Sequence, residues 1–471
     1  MQSVLVNRPA WVAHHHGGAI QPETRRCAYS FPWRAREGSS SVWVGTACRL
    51  RHSVECDATS GKVEMRAQDL TGRGLSWWKH HGPLASGAVA WLAVIAIAIS
   101  RARSAASTPA AGMDLAPIRN AGMALRSGHP IYGVPAFVQS PPASLVGWVE
   151  SFFSLRTDVY IYTYFEVAAI VATVFLFRRC LRPVRWNLLE SAILAFLLLK
   201  GDLVIGALWL DNLSVLLLLP CLFIVILWAK NRWSLGAVVL GITILIKPIL
   251  LPLLMIPLIF RRWKSLFMAV SVASIGLLMS VLISGNARAM YAVAKKLEGG
   301  STLVRKEAVY NLSIIGMQHN HHLNVAISSM VRLAIIVITV LVVFHCVRRE
   351  VAVSLVSVGS LSALLLSAVF LAGPLSENHY LLLLLPGTII MASGNSRTAR
   401  YLLLGALAIA GYSAYYFGGV AGSANARQLR WVAVELLVFA ASALVLMAIR
   451  TTAPDTAGVS RIDGASEFSA V

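Results

Sequence analysis

Apolar residues occur along this chain in blocks of 12 to 21 positions, separated by short polar or basic stretches. The blocks run over 84–100, 158–177, 187–205, 212–229, 234–247, 249–260, 265–284, 326–346, 351–371, 379–392, 400–418 and 429–449. Several fall short of the roughly 20 residues that a full helical span needs. The pattern predicts an all-α polytopic membrane protein with about twelve transmembrane helices. The pair 234–247 and 249–260 is either one helix kinked at Pro248 and Pro252 or two short helices meeting at a turn. Lys230 and Arg232 precede the pair, and Arg261, Arg262 and Lys264 follow it. Basic residues at both ends predict that the chain crosses out and returns.

Composition narrows the class. Only 13% of the 471 residues are charged and 57% are hydrophobic, against roughly 25% charged in soluble domains. A water-soluble enzyme and a disordered chain are both excluded. The net charge of +20 would suggest nucleic acid in a soluble protein. Here its distribution suggests membrane topology instead. Five short loops carry 13 basic residues in about 30 positions, whereas the long loops 101–157 and 285–325 carry 10 in about 100. The positive-inside rule then places the short loops and both termini in the cytoplasm of a plasma-membrane protein, and the two long loops outside. No nucleic-acid partner is expected; membrane lipids are. Connections longer than about 15 residues are usually functional or disordered, so the outer face is the expected site of chemistry.

The ends differ from this body. Residues 1–83 have no apolar stretch long enough to span and read as a poorly ordered cytoplasmic arm, with Met65 a candidate alternative start. Residues 450–471 read as a disordered cytoplasmic tail. The membrane domain is 84–449. None of the six cysteines forms a C-x-x-C pair, so neither a zinc nor a redox site has support.

Several polar residues on the outer side carry candidate chemistry. Asp114 follows the first span and is a candidate general base; alone, it reads more readily as a solvated loop aspartate. Lys247 is flanked by apolar runs, and an intramembrane lysine is a functional hypothesis by default. Asp211 and Asn212, in the turn before the fourth span, are either a helix cap or substrate contacts. The second outer loop holds Arg305 and Lys306, candidates for a phosphate, then Tyr310, Asn311 and the histidines His319, His321 and His322. A metal is not expected there, because no cysteine or carboxylate set accompanies the histidines. His379 and Tyr380 precede another span; His379 is a candidate phosphate contact or proton shuttle.

The order of these features resembles the GT-C glycosyltransferases, most closely glycosyltransferase family 87. The residues that carry the likeness are Asp114, the Gly128-His129-Pro130-Ile131-Tyr132 stretch, Pro141-Pro142, Asp211-Asn212, Gly241 to Lys247-Pro248, Asn311-Leu312-Ser313 and His379-Tyr380. Residues 190–270 most resemble its actinobacterial arabinofuranosyltransferases, which make α-(1→3) branches in cell-wall arabinan. Ser140 stands where the family has an aromatic before Pro-Pro, and Glu377-Asn378 matches nothing in the pattern.

The resemblance implies a polyprenyl-phosphate sugar donor, arabinofuranose by preference, and a cell-envelope glycan or glycolipid acceptor, the arabinan of arabinogalactan or lipoarabinomannan. Asp114 would be the catalytic base. Lys247, Arg305 and His379 would hold the donor phosphate, and Tyr132, Asp211, Asn212, Asn311 and Tyr380 would line the substrate site. No cofactor or metal is implied. An α-mannosyltransferase acting on phosphatidylinositol mannosides or lipomannan is the alternative within the family. A secondary transporter is the alternative outside it, but the internal repeats that it should show are not visible.

Overall fold

The computed structural model describes residues 63–108, 111–134, 137, 140–180, 188–284, 311–374, 376–392, 397–411 and 424–449, with side chains from 84 onward. The chain divides into two compact units, 1–74 and 75–471, and the membrane body lies in the second.

Every predicted apolar segment contains helix. In chain order the helices are α1 (Val63–Ala106), α2 (Leu115–Arg126), α3 (Pro141–Glu150), α4 (Leu155–Cys180), α5 (Leu188–Lys200), α6 (Asp202–Leu210), α7 (Leu213–Ala229) and α8 (Trp233–Ile246). There follow α9 (Met255–Ile259), α10 (Trp263–Ser284), α11 (Ile314–Asn320), α12 (Val325–Arg348), α13 (Leu355–Ala372), α14 (Leu385–Ala392), α15 (Arg397–Gly411) and α16 (Ala424–Ala448). Among the described residues six helices are long and apolar enough to cross a membrane: 84–106, 155–179, 263–282, 325–348, 355–372 and 428–448. Five more apolar helices are shorter. The described residues contain no strand, only an isolated bridge between Asn311 and Glu377.

Burial sorts these helices. The apolar window of α13 is 72% buried, whereas those of α10 and α12 are 17% buried. α13 is therefore an interior helix, packed on α14 and α16, and α10 and α12 turn Phe267, Leu282, Met330 and Val340 outward. In a membrane those side chains face lipid.

The structure departs from the predicted boundaries where polar residues interrupt the pattern. The first span continues through Arg101 and Arg103 to Ala106, so the first long loop starts later than position 101. That loop is itself largely helical: α2 and α3 pack together through two glycines. A Cβ on Gly147 would lie 1.9 Å from the Ile118 carbonyl oxygen, and one on Gly122 would lie 1.9 Å from the Gly147 carbonyl carbon. Segment 187–205 is two helices broken at Gly201, and Asp202 opens α6. α8 ends at Ile246, and residues Pro248–Leu254 form a 3-10 helix instead of continuing it. A proline cannot donate to the helix ladder and forces its predecessor out of the helical region.

Candidate active site

Four segments far apart in sequence meet around the side-chain amide of Asn212. The backbone N–H of Asp114 donates to the Leu210 carbonyl at 3.0 Å, which sets the 112–115 turn beside the 210–212 turn. Asp211 closes α6 in the left-handed conformation, with φ 52° and ψ 61°, a region that aspartate and asparagine tolerate better than other side chains. Its fully buried carboxylate accepts from Thr163 Oγ1 at 2.8 Å. Asn212 then caps α7, its Oδ1 accepting from the Ser214 N–H at 3.0 Å. The same oxygen accepts from Lys247 Nζ at 2.8 Å. The other end of the amide, Nδ2, donates to Asp114 Oδ2 at 2.5 Å.

Lys247 reaches Asn212 because its helix stops. Pro248 leaves Lys247 extended, at φ −134° and ψ 100°. Ser140, the N-cap of α3, donates its hydroxyl to the Leu245 carbonyl, one of the carbonyls that a helix C-terminus leaves without partners. The first loop is thereby fastened next to the lysine. Lys247 is 5% exposed. Its remaining neighbours are Ser214 Oγ, at 2.5 Å, and the Tyr380 ring, whose centroid lies 4.5 Å away. Among the described residues no carboxylate lies within ion-pair distance of it. A buried ammonium held only by neutral groups is costly, and an incoming anion relieves that cost.

The fourth segment brings Glu377, His379 and Tyr380. Glu377 Oε2 lies 2.9 Å from His379 Nε2, and the His379 ring meets Tyr380 edge-on at 4.6 Å. Asn311 anchors this segment. Its Oδ1 accepts from the N–H groups of Ser313 and Ser376, and its Nδ2 donates to the Pro374 carbonyl. Ser376 in turn donates to Glu435 Oε1 at 3.2 Å. The buried Asn311 amide is thus spent on backbone groups that fix the turn.

Charge is balanced locally. Burial raises the pKa of Asp114, opposed by the Asn212 hydrogen bond and by the charges of His379 and Lys247. Burial also pushes Glu377 upward, but the His379 hydrogen bond, the His379 charge and Lys247 together outweigh it and hold the carboxyl below its ordinary range. Asp211 is pushed up to about 7, by burial first and by the Asp114 charge, against bonds from Thr163 and the Gly112 backbone.

Of the residues singled out in the sequence, Asp114, Asn212, Lys247 and Tyr380 converge directly. His379 touches Tyr380, Asp211 directly precedes Asn212 in the same turn, and Asn311 supports the turn that bears Ser376. Tyr132 sits in a 3-10 turn, half-buried, with its ring 5.5 Å from Phe137; burial pushes its hydroxyl up to about 12. Arg305 lies outside the described residues. Two acids went unread in the sequence. Glu377 occupies the site, and Glu166 is fully buried on α4, one turn beyond Thr163, with neither carboxylate oxygen partnered among the described residues. An acid inside an apolar run is itself a signal of function, so Glu166 was legible; Glu377 matched no pattern. Among the described residues no group of three or more His, Cys, Asp or Glu is arranged to hold a metal ion.

A half-exposed carboxylate tied to a buried cation can take a proton from a hydroxyl while the cation stabilises a departing anion. No curated protein and no solved structure matches the chain. The family model of glycosyltransferase family 87 matches residues 137–374. That stretch contains Asp211, Asn212, Lys247 and Asn311, with Asp114 before it and Glu377, His379 and Tyr380 directly after. The match takes in half of the chain, and with the apolar helices around it the chain belongs to glycosyltransferase family 87 as a membrane glycosyltransferase.

Proposed function

We propose that the protein transfers arabinofuranose from a polyprenyl-phosphate donor to a cell-envelope arabinan, that of arabinogalactan or lipoarabinomannan, on the outer face of the plasma membrane. The observation that carries the reading is the Asp114–Asn212–Lys247 connection. Asp114 takes the proton of the acceptor hydroxyl as its oxygen bonds to the anomeric carbon. The bond from that carbon to the phosphate oxygen breaks, and the electron pair leaves with the phosphate, which Lys247 and His379 receive, with Arg305 as a further contact. A single displacement of this kind inverts the anomeric centre. Tyr132, Asp211 and Tyr380 border the sugar, and Asn311 holds the turn that bears Tyr380.

The choice of sugar rests on the likeness of residues 190–270 to the arabinofuranosyltransferases of the family. The outward orientation and the cytoplasmic termini rest on the basic residues of the short loops. The GT-C architecture with about twelve spans rests on the six long and five shorter apolar helices. The test supplies membranes containing the protein with radiolabelled polyprenyl-phosphate arabinofuranose or polyprenyl-phosphate mannose, each with arabinan and with phosphatidylinositol mannoside acceptors. Arabinose reaching arabinan alone is the expected result. Mannose transfer alone would reassign the protein to the mannosyltransferases of the family.

A further inference from the structure

A second cation inside the membrane body takes no part in the site described above. Arg332 lies on α12, eight residues beyond the N-cap Asn324, or about 12 Å along the axis at 1.5 Å per residue. Its Nε donates to the carbonyl of Ala372, the last residue of α13, at 2.9 Å. Part of the role of Arg332 is to cap that helix end. A neutral side chain would serve the cap as well, and an arginine at this depth is expensive. The other guanidinium nitrogens have no hydrogen-bond partner among the described residues. Among the described residues no hydrogen bond or ion pair joins Arg332 to Glu377, Lys247 or His379.

Below this arginine lies an apolar cavity of about 520 Å³, within the size range of small-molecule sites. One wall is the stripe Ile336, Thr339, Val340 and Val343 of α12, which continues the helix face below Arg332 at positions i+4, i+7, i+8 and i+11. The facing wall comes from α13 and includes Ala368 and Ala372. Ala372 therefore both lines the cavity and receives the Arg332 hydrogen bond. Ile336 and Val340 are also exposed on the outside of the bundle, so the cavity opens toward lipid. Thr339 is the single polar side chain in the lining.

A cation at the rim of a lipid-facing apolar groove complements one class of molecule, an amphiphile with an anionic head. We propose that this groove binds an anionic glycerophospholipid, with its phosphate on Arg332 and one acyl chain between α12 and α13, as a site separate from the Lys247 cluster. Bound there, the lipid would brace α12 against α13, five residues before Glu377.

The test reconstitutes the full chain in phosphatidylcholine nanodiscs with a trace of spin-labelled phosphatidylglycerol or spin-labelled phosphatidylcholine. The motionally restricted fraction of each probe is then measured. The wild type should favour the phosphatidylglycerol probe by about fivefold, the scale of one cation acting on an anionic lipid. R332Q should abolish the preference, R332K should keep it, and A368F, which fills the groove, should lower the restricted fraction of both probes. Equal fractions in the wild type, or an undiminished preference in R332Q, would overturn the proposal. So would full displacement of the phosphatidylglycerol probe by added polyprenyl phosphate, since the groove would then belong to the donor lipid. The readout is binding, so it stands whatever sugar the enzyme transfers.

Discussion

Asp114 and Lys247 are joined through one amide: Asn212 donates to the carboxylate at 2.5 Å and accepts from the ammonium at 2.8 Å. The amide orientation is fixed by a third bond, from the Ser214 N–H to Asn212 Oδ1, which makes Asn212 the cap of α7 as well. A residue that reads as a helix cap therefore also couples the base to the cation.

Asn212→Ser separates the two roles. Serine caps a helix nearly as well as asparagine, but it is too short to span Asp114 and Lys247. Thermal unfolding should stay within a few degrees of the wild type. Transfer should fall by about 10- to 100-fold, as expected for hydrogen bonds to charged groups. The Asn212 bond lowers the Asp114 pKa, so the acid limb of the pH–rate profile should move to higher pH in the variant. An unmoved limb would remove Asn212 from the electrostatics of the base.

Lys247→Met keeps the length of the side chain and removes its charge. Loss of charge-assisted bonds to the donor phosphate should cut kcat/KM by about 10- to 100-fold. Lys247→Arg should rescue little, because a planar guanidinium does not replace a compact ammonium between Asn212 Oδ1 and Ser214 Oγ. Full activity in Lys247→Met would exclude it from donor binding.

Gly147→Ala probes the α2–α3 contact. The added Cβ would meet the Ile118 carbonyl oxygen at 1.9 Å, and relief requires the helices to part. Overpacking of this kind costs about 1–3 kcal/mol. Proteolysis within residues 115–150 should quicken, and transfer should fall, because Ser140 could no longer fasten the loop beside Lys247. A protease-resistant, fully active Gly147→Ala would contradict the contact.

Stability should depend on pH in a defined direction. Burial first, and then the Asp158 charge, push Glu150 up to about 7, and Asp211 rises to about 7 as well. Their ordinary values are 4.5 and 3.8, so between those values and about 7 the folded chain binds more protons than the unfolded one. Stability from this pair is then greatest at acid pH and declines as pH rises through about 7. Glu377 has the opposite sign: held low, it contributes above 4.5 and is lost only below that, so it stays constant across the window. The unfolding temperature in detergent should be higher at pH 5 than at pH 8. Glu150→Gln should narrow the difference, and an unchanged difference would exclude Glu150 as a source.

The apolar blocks made the helices legible, because a membrane span is defined by its own composition. Asp114, Lys247 and Asn212 were legible too, since polar residues at the ends of apolar runs are few. What binds them was not. Asn212 faces both Asp114 and Lys247 only because Leu210 and Pro248 set two turns side by side, and no local pattern encodes that approach. The helices α2 and α3 were missed for a similar reason: both are too short to stand out as apolar blocks, and they close on each other through Gly122 and Gly147 while packing on Val159 and Tyr162 of α4. Glu377 lacked any periodic context, and its proximity to His379 follows from the Asn311 anchor more than 60 residues earlier.

The central claim is that Asp114 is the base of a glycosyl transfer that uses a polyprenyl-phosphate sugar. Its most direct test measures the initial rate of transfer from radiolabelled polyprenyl-phosphate arabinofuranose to an arabinan acceptor, in membranes carrying equal amounts of the wild type and Asp114→Asn. Asparagine preserves the size of the side chain and cannot take the proton. Transfer by the wild type, reduced by about 10²- to 10⁴-fold in Asp114→Asn, is the predicted result; equal rates in the two, or transfer by neither, would contradict the account.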